Sequence, residues 1–139
     1  MPDLEIFDPR TIATPVYEAL QNLYTEHKAD KDRLREQKGQ AVELYTYLST
    51  WGMMRLKAEE RALWQEGKAT GKGKQQVVVK FFECLEKLSD TENLAGDQGL
   101  ATLKDLDTES YLGLTGLGLT VAQEFGFWAT AVYSGIDAE

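Results

Sequence analysis

Residues 111–135 read YLGLTGLGLTVAQEFGFWATAVYSG and carry one formal charge, Glu124. The reading of this stretch decides the fold, because its length is near the ~20 apolar residues that a membrane-spanning helix needs. Gln123 and Glu124 stand at its middle, and an acid at a bilayer centre costs roughly 2.5–3.5 kcal/mol on insertion scales. Neither flank is basic: KDLDTES precedes it and SGIDAE follows. A membrane span is therefore not expected. Helical spacing gives a better account. Leu114, Leu117, Val121, Phe125, Trp128 and Val132 recur at three- and four-residue steps and form one apolar seam. Beside it runs a row of small residues, Gly118, Ala122, Gly126, Thr130 and Ser134, one every fourth position. Such rows let two helix backbones approach closely. The pattern predicts a central helix over 110–134 with close packing on two sides, one neighbour belonging either to this chain or to another.

The rest of the chain reads as helix as well. Thr14-Pro15 resembles a helix start, with Val16, Leu20, Leu23, Tyr24 and His27 following at the helical period. The charged run HKADKDRLREQKGQ is either the solvated end of that helix or a turn near Gly39. A long second helix is expected over about 40–66, and a third over 75–89 with Val77, Val78, Phe81, Cys84, Leu85 and Leu88 inward. Between them lies GKATGKGK (67–74), a glycine- and lysine-rich loop expected to be mobile. Residues 1–13 read as an irregular lead-in. The expectation is all-α: a single domain over 1–139, a bundle of about four main helices.

Composition narrows the function classes. The 139 residues carry a net charge of −8, which argues against unspecific nucleic-acid binding by the whole molecule. The charge is uneven. Residues 67–80 hold Lys68, Lys72, Lys74 and Lys80 and no acid, whereas 81–139 hold two lysines against eleven acids. One cysteine, Cys84, excludes an internal disulfide framework and a cysteine-cluster zinc site. With an acidic opening, MPDLEIFDPR, that lacks an apolar run, the expected compartment is the cytoplasm.

Catalytic constellations are sparse. The loop fails as a phosphate-binding P-loop, because counting from Gly67 puts Lys72 where the second glycine must stand. A di-iron bundle needs two Glu-x-x-His motifs, and the chain has one histidine, His27, directly after Glu26. His27 reads as a boundary residue of the first helix and Cys84 as an inert thiol on an apolar face. Glu59, Glu60, Glu83 and Glu86 could meet between the second and third helices. No catalytic residue, metal or cofactor is assigned.

What remains is contact. Phe82, Phe127 and Trp64 fall off the main apolar seams and are the expected exposed anchors, alongside Gly118, Ala122, Gly126 and Thr130 of the small row. These residues point to a non-catalytic protein-interaction or assembly subunit that binds a partner or a second copy of itself. The alternative is a subunit of a nucleoprotein complex touching backbone phosphates through Lys68, Lys72, Lys74, Lys80 and the charges of 28–38. In size, helicity and basic loop the chain is similar in outline to the small helical subunits of CRISPR effector complexes, a resemblance that implies such a role.

Overall fold

A computed structural model describes residues 8–63 and 72–137, and all regular structure among them is helical. Among the described residues six helices follow one another: α1 (Arg10–His27), α2 (Lys31–Trp51), α3 (Met53–Leu63), α4 (Lys72–Ser89), α5 (Gly99–Asp105) and α6 (Thr108–Val132). The all-helical expectation holds, but the element count rises from about four to six, and each added boundary has a local cause.

α1 begins before Thr14. The Asp8 carboxylate accepts from the Arg10 amide at 3.0 Å and the Asp8 carbonyl from Thr11 N at 2.9 Å, so the first turn is anchored upstream. Pro15 consequently sits inside the helix rather than at its first position. The charged run is neither the solvated end of α1 nor a turn near Gly39, since the turn lies at 28–30. Asp30, in extended backbone, accepts from Arg33 N at 3.1 Å and starts α2 within the charged run. Gly39 is buried in mid-helix.

The long second helix breaks at Gly52, whose φ of +91° is left-handed backbone that a residue with a Cβ rarely adopts. That break re-aims the chain into α3. Downstream, the Asp107 carboxylate accepts from Ser110 N at 2.7 Å and starts α6.

α1, α2, α4 and α6 pack around one core, with α2 lying most extensively against α6. Val16, Leu20, Leu44, Leu48, Val77, Phe81, Leu85, Val121 and Phe125 are fully or almost fully shielded from solvent there. Phe81 meets Phe125 edge-on at 5.9 Å. α3 and α5 form an outer pair, α3 seated on α4. No helix among the described residues is long and apolar enough to cross a membrane.

The small row of α6 finds its neighbour inside the chain. Gly118 and Ala122 are buried, and a Cβ on Gly118 would lie 2.6 Å from the Met53 methyl carbon. At Gly126 a Cβ would lie 3.7 Å from the Ala41 carbonyl oxygen, so here α6 lies close to the backbone of α2. The row then leaves the packed face: Thr130 is exposed, its hydroxyl donating to the Gly126 carbonyl at 3.0 Å. Gly118 and Ala122 are therefore not available to a second chain, a correction to their expected interface role.

Candidate functional site: an aromatic ledge on α1 and α6

Phe125 and Phe127 stand two residues apart on α6 and have opposite fates. Two residues turn a helix by ~200°, so a helix that buries Phe125 completely must aim Phe127 outward. Phe127 is 64% exposed. Its ring meets Trp128 edge-on at 5.0 Å, and Trp128 meets Tyr17 of α1 edge-on at 5.7 Å. Tyr17 follows the buried Val16 and is itself exposed.

The three rings form a continuous ledge that is held in place. The Trp128 indole N–H donates to Glu124 Oε1 at 2.9 Å, one helical turn back. Glu124, the lone charge of the apolar stretch, is thus the acceptor that satisfies a half-buried indole. Beneath the ledge lies an open groove of about 340 Å³ lined by Arg10, Ala13, Thr14, Tyr17 and Trp128. Arg10 on its rim donates through Nε and Nη2 to the two Asp8 oxygens at 3.1 and 2.8 Å. That pairing holds the Asp8 carboxyl down at about 2.

Of the expected contact residues, Phe127 and Thr130 are exposed on α6, and Gly126 is half-buried. Phe82 is corrected: it is fully buried, because α3 covers the side of α4 on which it lies. Its ring packs edge-on against Phe81, and the Lys57 ammonium sits 4.7 Å from its centre. Trp64 lies outside the described residues, as does Lys68. The remaining anion candidates are spread along α4. Lys72 and Lys74 stand in its first turn, where 72–74 are helix rather than loop, and Lys80 pairs with Glu83 at 3.6 Å. Sequence reasoning missed Tyr17, Ala13 and Arg10. The signal for Tyr17 was present, since it lies one residue off the Val16–Leu20–Leu23 seam.

The acid–base groups are engaged structurally. Glu60 pairs with the buried Lys57 at 2.9 Å, and Tyr47 donates to Glu59 at 3.4 Å. Glu86 Oε1 accepts from the amides of Leu94 and Ala95 at 3.0 and 2.9 Å, closing the loop after α4. Glu59, Glu60, Glu83 and Glu86 thus each serve a different partner. Burial pushes the Cys84 thiol up to about 11, and its Sγ lies 3.6 Å from the Pro15 carbonyl, so little nucleophilic thiolate forms near neutrality. His27 is engaged as well, by Gln37 and Gln76. Among the described residues no group of three His, Cys, Asp or Glu side chains could hold a metal ion.

No protein family, no curated protein and no solved structure matches this chain.

Proposed function

We propose that this chain is a non-catalytic helical assembly subunit that docks a protein partner, or a second copy of itself, on the ledge of Tyr17, Phe127 and Trp128. The observation that carries this reading is the exposure of Phe127 on a rigid aromatic support. A large exposed ring is common enough singly. Three rings in series, with the central one held by Glu124, give up little conformational freedom on binding, and aromatic side chains dominate contact energies. The groove beside them would accept an apolar side chain from the partner, and Thr130 lies one turn beyond Phe127 on the same helix.

The test is retention and mass. The immobilised chain should capture a defined protein partner, or light scattering should show a mass above that of one chain. Phe127→Ala should abolish whichever is seen while leaving the helical content unchanged. A wild-type chain that remains monomeric and retains no partner sinks the proposal, and so does a complex indifferent to Phe127→Ala.

A further inference from the structure

Gln37 is completely shielded from solvent, and its amide is the middle of a polar chain that crosses the core between α1, α2, α4 and the end of α6. Tyr133 Oη donates to Gln37 Oε1 at 2.7 Å, and Gln37 Nε2 donates to Gln76 Oε1 at 2.9 Å. Gln76 Nε2 stands 3.3 Å from His27 Nε2, and His27 Nδ1 stands 3.0 Å from the Leu23 carbonyl. The shorter of these contacts favour one tautomer. With the proton on Nδ1, the imidazole donates to Leu23 and accepts from Gln76, and every bond points from Tyr133 toward Leu23. With it on Nε2, the Nε2–H would face the Gln76 N–H and the bare Nδ1 would face the Leu23 carbonyl, leaving Nδ1 only the longer Gln37 Nε2 contact of 3.2 Å as a donor.

We propose that this chain is a proton-operated relay: a proton taken up at His27 Nε2 reverses the direction of the hydrogen bonds and removes the acceptor of the Tyr133 hydroxyl. The protonated Nε2 needs an oxygen, which Gln76 supplies by rotating its amide half a turn. Gln76 Nε2 then faces Gln37, whose own half-turn presents Oε1 both to Gln76 and to His27 Nδ1. Gln37 Nε2 now donates to Tyr133 Oη. Amide oxygen and nitrogen nearly match in size, so both rotations leave the heavy-atom packing in place. Along this path each link then has a donor and an acceptor, except at the phenol.

The phenol retains its proton throughout. Burial, with Tyr24 beside it, raises the Tyr133 titration well above the usual tyrosine range. The Tyr24 ring meets the Tyr133 ring edge-on at 5.4 Å. Glu36 accepts from Gly73 N at 2.9 Å, Lys38 donates to the Ile136 carbonyl at 2.6 Å, and Arg33 pairs with Asp30 at 3.9 Å. Glu26 and Lys28 flank His27 on the exposed end of α1, and Lys72 and Lys74 precede Gln76 on α4. Tyr133 caps α6, its amide donating to the Ala129 carbonyl at 2.9 Å. The relay thus carries a protonation event at the end of α1 to the C-terminal turn of α6, and it frees the hydroxyl that ties that turn to α2.

Nitrogen-15 NMR of the whole chain tests this. At alkaline pH, His27 should show a protonated Nδ1 and a bare Nε2. Across the His27 titration, the Gln37 and Gln76 side-chain amide signals and the Tyr133 ring signals should move with the same midpoint. In Gln37→Leu, His27 should still titrate and Gln76 should follow, but Tyr133 should not. The proposal is overturned by a Tyr133 signal that stays flat while His27 titrates, by the opposite tautomer, or by a His27 that stays neutral until the chain unfolds. The wild-type titration decides this alone if the variant does not fold.

Discussion

Replacing Phe125 and Phe127 separately by alanine measures how cleanly the fold and the ledge are divided on one helix. Phe125 is fully buried and packs on Phe81, so its truncation removes a core side chain and leaves a cavity. Such changes cost about 3–5 kcal/mol. Phe127 is 64% exposed, so only about a third of its surface is withdrawn from water. On the ordinary scale for a buried aromatic ring that amounts to about 1 kcal/mol, and the better helix propensity of alanine returns about 0.5 kcal/mol. Urea unfolding followed by far-ultraviolet circular dichroism should therefore separate the two. With slopes of about 2 kcal/mol per molar, Phe125→Ala lowers the midpoint by about 2 M and Phe127→Ala by less than about 0.5 M. Partner retention should reverse the order, lost in Phe127→Ala and kept by the folded fraction of Phe125→Ala. Equal losses of stability would refute the division, because they would mean that Phe127 is covered within its own chain.

Other expectations follow from the same structure. Gly116 has open space where a Cβ would go, whereas a Cβ on Gly73 would lie 2.7 Å from the Arg33 carbonyl oxygen and the Glu36 Cβ. Gly116→Ala should raise the thermal midpoint by about 3 °C through helix propensity, and Gly73→Ala should destabilise by about 1–3 kcal/mol through overpacking. Because burial raises the Cys84 thiol to about 11, native Cys84 should alkylate about 100-fold more slowly near pH 8 than an unshifted thiol, before shielding is counted. The shift is upward, so the stability it contributes is complete below the unfolded thiol's titration and is lost as pH rises toward 11. Cys84→Ala should flatten that part of the stability–pH curve. For the nucleoprotein alternative, a salt-sensitive affinity for single-stranded RNA should vanish in Lys68/Lys72/Lys74→Glu, and no affinity in the wild type at low salt would remove that alternative.

Much of the fold was legible because helix formation is local. The seams Val16–Leu20–Leu23 and Val77–Phe81–Cys84–Leu85 repeat at the helical period, and every residue on them is buried. Boundaries were less legible, since caps compete. Thr14-Pro15 is a good start signal, yet Asp8 anchors the first turn two turns earlier in register with Arg10 and Thr11. Phe82 lies off its helix's main seam, but burial depends on how many neighbours a helix has, and α3 covers a second side of α4. His27 looked like a boundary residue. Its partners, Gln37 and Gln76, lie ten and 49 positions away, beyond any local pattern.

The stretch 111–135 divides along the same line. By itself the sequence determined that it is helical, that a bilayer is a poor home for Glu124, and that it carries a large and a small face. Periodicity fixes which residues share a face, because 3.6 residues per turn is a property of the backbone alone. Only the tertiary structure decided what each face meets. Met53 and Leu48 crowd Gly118, the backbone of α2 approaches Gly126, Glu124 turns to the Trp128 indole, and Phe127 is left in water. Those outcomes depend on where α1 and α2 are placed, and that placement is set by the packing of the whole core.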